Sequence, residues 1–298
     1  MSAAVNVTRK QRPRRRAAAA GVALIALLAL VLSPSPGTAA TVPVRLLPPD
    51  AWTSAVPLAH SDLSRALEHW ATDPAGLAVD TGTTAGEYLA GYLSQLASLG
   101  PGLRPELFPT DQHVLAYLVN AHVAWTLAMA SDPSNDGLDA AAVRRIPFTL
   151  GHQSWTLASL ADEVLRRAPL EPRLALCLNP GFLGGPPLPL AALEGHSLEW
   201  QIAEHARTCG RSRGFWEFDG AAGALRVSGF TAFLPGLPAQ ASARARRLLD
   251  LVPPRPEDAR AILARCGRAL QRCTVTVAPM DFGRWSPRHA PPTTPAQP

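Results

Sequence analysis

The segment that most restricts the fold is the long apolar stretch that begins at Thr110 or Asp111 and runs to about Ala130. Apolar residues recur in it at helical spacing, and they include Leu115, Leu118, Val119, Trp125 and Leu127. A helix that is apolar on most of its faces has to be buried in a protein core. We therefore expect this helix to be the central buried helix of the fold.

The composition of the chain is that of a globular protein. Of its 298 residues, 47% are hydrophobic and 17% are charged, a balance unlike that of disordered chains. The length allows one large domain or two small ones. Collagen, coiled coils and multispan membrane proteins are excluded by this composition. The 30 prolines and 22 glycines predict many turns.

Residues 1–40 are typical of a secretory signal peptide. Six basic residues between Arg9 and Arg16 precede an apolar run, residues 17–32, and a stretch of small residues follows before position 40. The run is shorter than the roughly 20 residues that a bilayer span needs. We expect cleavage near Ala39 or Ala40 and a periplasmic or extracellular mature chain, which would touch the membrane only through an uncleaved leader. The basic cluster leaves both general and twin-arginine export open.

The charge of the mature chain is close to neutral, although the formal net charge of the whole sequence is +5. Six of the 28 basic residues lie in the leader, which has no acidic residue, so 22 basic and 23 acidic residues remain. Without a basic surface interleaved with aromatic residues, nucleic-acid binding is not expected. Lys10 is the only lysine, which excludes Schiff-base and P-loop mechanisms from the mature chain.

The pattern along the mature chain predicts an α+β fold in which several helices pack on a small, mainly antiparallel sheet. Besides the central helix, periodicity predicts helices over residues 61–70, 84–99, 159–167, 193–209, 243–251 and 256–271. Short strands are predicted over residues 173–178, 215–218, 225–227 and 273–278. We expect residues 41–286 to form a single domain and residues 287–298 to be a disordered tail.

Several segments carry a resemblance to one family. In chain order they read VDT (residues 79–81), LAYLVNAHV (115–123), DEVLR (162–166), RLALC (173–177) and GGPP (184–187), and the last predicted strand continues into Pro279–Phe282. These segments resemble successive motifs of the bacterial and plant family called domain of unknown function 547, over about residues 50–285. The resemblance implies an α+β domain and no established activity.

The chain departs from this family mainly at polar positions. Val123 stands in place of an asparagine, His122 of a tyrosine and Gly185 of a cysteine, while Ala161-Asp162 replaces a Glu-His pair. The polar positions that remain are Asn120, Arg166, Arg173 and Asp281, with Cys177 an approximate match. This loss of polar positions favours a binding or accessory module of the cell envelope over an efficient enzyme.

The alternative function is a thiol-dependent or other hydrolase. Cys177 would be its nucleophile, His122 its base and Asn120 the residue that orients the histidine. The competing interpretation makes Cys177 a buried hydrophobic residue or half of a disulfide, lets Asn120 brace nearby backbone and leaves His122 at the surface. A third possibility is a purely structural envelope protein that binds a partner protein.

Other polar and aromatic residues are candidates for ligand binding. Arg166, Arg173 and Asp281 fit a buried Arg–Asp pair better than a clamp for an anionic ligand. Trp216, beside a predicted turn, is a candidate for stacking on a ligand. The helical tryptophans Trp125, Trp155 and Trp200 are expected in the core rather than as carbohydrate platforms. The ligand would be a small molecule or an envelope protein.

Four cysteines in an exported chain suggest disulfides. We favour the pair Cys266 and Cys273, provided that the helix ends near Arg268 and the chain turns back. Cys177 and Cys209 would then form a second pair or remain free thiols.

Within each of two pairs, the residues share a face of one predicted helix. His205 and Cys209 are four positions apart, and His196 and Glu199 are three positions apart. Metal sites use such spacings, but the two pairs do not share a face and no metal-binding motif accompanies them. We expect a solvated helix, with no metal and no cofactor.

Overall fold

The apolar segment after Thr110 forms a single helix, α3 (Asp111–Ser131), and fifteen of its 21 residues are buried. The structure is a computed structural model that describes residues 56–72, 83–135 and 137–283. By length and composition α3 is apolar enough to cross a membrane, but 89% of its most apolar window is buried inside the protein. The prediction of a central buried helix is therefore confirmed.

Seven other α-helices lie in the described part of the chain. They are α1 (Ser61–Thr72), α2 (Thr84–Ser98), α4 (Ala140–Val143), α5 (Leu157–Arg167), α6 (Leu198–Arg211), α7 (Ala241–Leu251) and α8 (Pro256–Cys266). Thr83, rather than Thr84, caps α2, because its side chain accepts the Gly86 N–H. Apart from the short α4, each overlaps a predicted helix and the ends differ by a few residues.

The helices of the first half surround α3 and form the larger of two apolar cores. Helix α1 packs against α2, and α3 packs against both α2 and α5. Fully buried side chains at these contacts include Leu63, Leu89, Leu118 and Leu160. Burial of each such side chain contributes roughly 1.5–3 kcal/mol, so this core accounts for much of the stability of the fold.

The strands form two small sheets. Strands β1 (Phe148–Leu150) and β2 (Gln153–Trp155) make an antiparallel hairpin. In the second sheet, β3 (Trp216–Asp219) pairs antiparallel with β4 (Ala224–Val227), and β4 pairs parallel with β5 (Thr274–Val277). The fold is α+β, as predicted.

The second apolar core lies beneath the three-stranded sheet. Leu225 and Val227 of β4 meet Leu248 of α7 and Ile262 of α8. Helix α8 ends at Cys266, and the chain turns back through Gly267, which has φ +80°. The turn brings Cys266 to Cys273, and the two form a disulfide.

One predicted strand is wrong. Residues 173–178 lie almost entirely in a 3-10 helix, Pro172–Cys177. Pro172 occupies its first turn, and the Glu171 side chain caps it by accepting the Arg173 N–H. The apolar residues that looked like a strand are buried on all sides, so they carry no strand-like alternation of inside and outside.

Three predictions lie outside the described residues. They are the signal peptide at 1–40, the disordered tail at 287–298 and the family-like motif at 79–81. Described residues 56–283 belong to one compact unit.

Candidate functional site

The predicted nucleophile, Cys177, is fully buried at the end of the Pro172–Cys177 helix. Burial, aided by the negative charge of Glu171, raises the pKa of its thiol to about 12. A reactive cysteine needs a lowered pKa and access to solvent. Cys177 has neither.

The predicted base and its orienting residue are both buried on α3. The pKa of His122 is lowered to about 3, chiefly by burial and also by the positive charge of Arg144, and its Nδ1 has no hydrogen-bond partner. The expectation that His122 lies at the surface is therefore wrong. Asn120 does not orient His122, because both ends of its amide bind the backbone of Leu193, at 2.8 Å each.

The histidine that does contact a thiol is His205, whose Nε2 lies 3.4 Å from Cys209 Sγ. Both residues are buried, so the prediction of a solvated helix is wrong on this face of α6. His205 Nε2 also lies 3.3 Å from the carbonyl oxygen of Leu176. Since a carbonyl only accepts hydrogen bonds, Nε2 carries its proton and is not free to remove one from the thiol.

The electrostatics of this buried cluster disfavour an ionised thiol. Burial lowers the pKa of His205 to about 4 and raises that of Cys209 well above its usual value, with the nearby Cys177 adding to the rise. Both free cysteines are therefore neutral. Within the described residues no group of three or more His, Cys, Asp or Glu side chains is placed to hold a metal ion.

The predicted Arg–Asp pair does not form. Arg166 binds Glu163 through two nitrogens, at 2.8–2.9 Å, and Arg173 binds Glu171, with Nε 2.7 Å from Oε1. Asp281 is exposed and accepts the Gly283 N–H at 2.8 Å. Each arginine has a carboxylate only two or three residues away, and these local pairs replace the long-range pair.

The positions of the tryptophans agree with the prediction only in part. Trp216 is half-buried and donates its Nε1–H to the Val252 carbonyl at 2.9 Å, so it braces a turn. Trp125 stacks on Phe148 and Trp155 is buried, as expected of core residues. Trp200, in contrast, is 64% exposed, so its expected place in the core is wrong.

Trp200 lies in a surface groove of about 460 Å³. The groove is formed by the first turns of α3 and α6, the 3-10 turn Gly195–Ser197 and the start of the Pro172–Cys177 helix. Its lining residues are Gln112, Arg173, His196, Ser197, Leu198, Glu199, Trp200 and Ala203. An indole ring is thus surrounded by hydrogen-bond donors and acceptors.

The charges in the groove are balanced. Glu171 raises the pKa of Arg173 through a hydrogen bond and through its negative charge. Glu199 raises it less strongly, through its charge alone. His113 lies behind the groove with its Nδ1 2.7 Å from Thr110 Oγ1. Its pKa is lowered by burial and by the charge of His196. The groove therefore presents both signs of charge without a strong excess of either.

The segment that leads into the groove, residues 192–194, is held by hydrogen bonds from two helices. The amide of Gln201 accepts the Glu194 N–H at 2.6 Å and donates to the Ala192 carbonyl at 3.1 Å. Asn120 holds Leu193 between them. A Cβ on Gly195 would lie 2.4 Å from the His113 ring, so only glycine lets the chain come this close to α3.

No protein-family model, curated protein or solved structure matches this chain.

Two residues that the sequence predicts to be functional stand in different relations to this groove. Arg173 lines it, whereas Asn120 on α3 holds Leu193, three residues before the lining residue His196. Sequence reasoning missed the groove itself, although one signal was present. Leu198, Ile202 and Cys209 mark the buried face of α6, and Trp200 falls on the opposite, polar face, where a large aromatic residue is unusual.

A second, smaller cavity of about 220 Å³ lies elsewhere. It is lined by Asp139, Ala141, Arg144, Phe182, Phe233 and Phe282. None of the residues predicted to be functional lines it. Two of them lie next to it: Asp281 precedes Phe282 in the chain, and the charge of Arg144 lowers the pKa of His122.

Proposed function

We propose that this chain is an exported binding module of the cell envelope that holds a saccharide in the Trp200 groove. The observation that carries the proposal is the exposed indole of Trp200 among polar side chains in a groove. Exposed large aromatic residues are costly to solubility and mark binding surfaces when they lie in a concave site.

The chemistry of the lining suits a saccharide. The flat indole face offers apolar contact area to the C–H face of a sugar ring. Around it, Gln112 and Arg173 supply N–H donors, and Glu199 supplies acceptor oxygens. Sugar hydroxyls both donate and accept, so they can use the two kinds of partner at once. The balanced charge also favours a ligand without a strong charge of its own.

The hydrogen bonds of the segment that leads into the groove support a binding role. Asn120 and Gln201 fix residues 192–194 by hydrogen bonds from two helices. A site that is already ordered loses less conformational entropy when a ligand arrives, which strengthens binding. The role of Asn120 is therefore structural, because its amide holds the backbone of Leu193.

Export is supported by two features. The leader at residues 1–40 has the pattern of a signal peptide. The Cys266–Cys273 disulfide is of the kind that persists in oxidising compartments such as the periplasm. The resemblance to domain of unknown function 547 agrees with a binding role, since Val123, Ala161 and Gly185 replace polar family positions.

The alternative, a thiol hydrolase, has no comparable observation in its favour. Cys177 is buried with a raised pKa, His122 is buried with a lowered one, and Asn120 is engaged by Leu193.

The test is calorimetric titration of the purified protein with oligomers of N-acetylglucosamine and of glucose. We expect binding to at least one of them and a loss of about tenfold or more in affinity in Trp200→Ala, which is 1.4 kcal/mol or more. Trp200→Phe should keep most of the affinity because it keeps an aromatic face.

The matched control is Phe282→Ala, which removes another exposed aromatic ring that is not part of this lining. Its affinity should equal that of the unaltered protein. Failure of both oligomers to bind, or equal affinity of Trp200→Ala, would contradict the proposal.

A further inference from the structure

The smaller cavity has an aromatic wall built from three separate segments. Phe182 comes from the Gly/Pro loop after the Pro172–Cys177 helix, Phe233 from the 3-10 turn Gly229–Phe233, and Phe282 from the segment after β5. The ring centroids of Phe182 and Phe282 lie 5.4 Å apart, and those of Phe233 and Phe282 lie 6.4 Å apart. The three rings therefore form one continuous apolar surface.

Hydrogen bonds hold this wall in place. The Asn179 side chain accepts the Phe182 N–H at 2.8 Å and donates to the carbonyls of Phe182 and Pro186. The backbone of Leu183 and Gly184 donates to Gly283 and Asp281, which fixes the segment that carries Phe282. The backbone that carries Phe182 and Phe282 is therefore fixed.

The opposite side of the cavity carries two opposite charges that are not joined to each other. Asp139 and Arg144 flank α4, and no salt bridge links either of them to another described residue. One oxygen of Asp139 accepts the Ala142 N–H at 2.6 Å, which leaves the other free. The backbone of Arg144 is fixed because its carbonyl accepts the Ala158 N–H at 3.1 Å.

His122 does not neutralise the charge of Arg144. The titratable group that responds to it is His122 on α3, which is buried and whose pKa is lowered to about 3. A neutral imidazole provides no counter-charge. Arg144 therefore gains no ion pair from His122 and lines the cavity together with the three phenylalanine rings.

We propose that this cavity binds a free α-amino acid with an aromatic side chain. Arg144 holds the carboxylate, Asp139 holds the ammonium group, and the three phenylalanines pack against the ring of the ligand. Arginine is well suited to carboxylates because its two parallel N–H groups match the two oxygens. Aromatic pairs favour tilted and edge-to-face contacts of the kind that the three rings already make with one another.

The size of the cavity agrees with this ligand. An apolar protein cavity of about 150 Å³ accepts one benzene ring. The volume of about 220 Å³ here leaves space for a short backbone beyond the ring.

The test uses the purified protein and three probes of nearly equal size, L-phenylalanine, 3-phenylpropionate and 2-phenylethylamine. The second probe lacks the ammonium group and the third lacks the carboxylate. Calorimetric titration should show binding of phenylalanine, with each analogue at least about fivefold weaker. If no probe binds, or if an analogue binds as tightly as phenylalanine, the proposal is overturned.

Two charge variants assign the roles. Arg144→Gln should bind phenylalanine no better than 2-phenylethylamine, because the carboxylate is no longer recognised. Asp139→Asn should bind phenylalanine no better than 3-phenylpropionate, and asparagine still caps the helix, so the fold is kept. Circular dichroism melting of each variant checks folding. Retained discrimination in both folded variants would refute the assigned roles.

The saccharide groove provides an independent control, because the two sites share no lining residue. Trp200→Ala should leave phenylalanine affinity unchanged, and Phe233→Ala should weaken all three probes. Failure of phenylalanine to bind would not affect the proposal of a saccharide groove. Failure of the saccharides to bind would likewise not affect the proposal of an amino-acid site.

Discussion

Asn120 and His122 stand two positions apart on α3, and both are buried, but their surroundings differ. The Asn120 amide has a partner for its donor and its acceptor in Leu193. His122 Nδ1 has none. A buried polar group without a partner costs roughly 1–3 kcal/mol, so Asn120 stabilises the fold and His122 weakens it.

Asn179 leaves no space for a side chain at Gly185. A Cβ at this position would lie 2.2 Å from Asn179 Nδ2, and Asn179 is the residue that holds the loop around Phe182. A side chain at this position is therefore incompatible with Asn179 where it lies here.

We predict that His122→Leu makes the protein less sensitive to acid. The folded pKa of His122, about 3, lies below the unfolded value of 6.5, so the unfolded chain binds more protons between these values. Stability therefore falls as pH drops below 6.5, by about 2 kcal/mol from this group between pH 8 and pH 5. Urea unfolding of both proteins at the two pH values measures the effect. A stability difference that is the same at pH 5 and pH 8 would show that His122 is not held neutral.

Helix α6 joins the groove to the second core. Leu198, Ile202 and Cys209 face inward, while Trp200 faces the groove from the other side. Gly210 near its end allows a very close approach, since a Cβ there would lie 2.2 Å from the carbonyl oxygen of Pro253. The position of α6 therefore depends on the absence of one side chain.

We predict opposite effects for two glycine-to-alanine substitutions in helices. Gly210→Ala should destabilise the protein by about 1–3 kcal/mol, because the Pro253 backbone has to move. Gly91→Ala in α2 should stabilise it by about 0.5–1 kcal/mol, because nothing lies within 4 Å of the new Cβ and alanine favours a helix. Denaturant titration of the two variants gives both values. A stabilising Gly210→Ala would mean that α6 and the Pro253 turn are not in contact.

The whole described unit contains two apolar cores, and the Pro172–Cys177 helix contributes to both. Leu174 and Cys177 belong to the core around α3, whereas Ala175 and Leu176 belong to the core beneath the sheet. Cys209 belongs to the second core. A short segment buried between two cores links their stabilities, because neither core can open there without exposing the other.

We predict that Cys177 and Cys209 are unreactive in the folded protein and become reactive together on unfolding. Each lies in a different core, so the two thiols report on the two cores separately. Alkylation across a urea gradient without reductant, followed by mass spectrometry, measures both. Rapid labelling of Cys177 in the native state would contradict this prediction and support the alternative function, a thiol hydrolase. Labelling at clearly different urea concentrations would show that the cores unfold independently.

Local patterns predicted most of the elements of this protein. Apolar spacing placed α1, α3, α5 and α7 within a few residues of their ends, and the alternation around Asp219-Gly220 placed β3 and β4. Each of these signals is contained in a window of a few residues, because helical and strand periodicity depend on neighbouring positions. The strand predicted at residues 173–178 is wrong because two cores cover that segment, and continuous burial removes the periodicity.

The sequence by itself determined the α+β class and the central place of α3, because these follow from local spacing. It favoured the pair Cys266 and Cys273 on the condition of a helix end between them, and the structure supplies that end at Cys266. Tertiary structure alone decided which side chains meet. Asn120 binds Leu193 across 73 positions, His205 rather than His122 lies against a thiol, and Trp200 faces the groove. Such contacts depend on how distant elements pack, and no window of neighbouring residues contains that information.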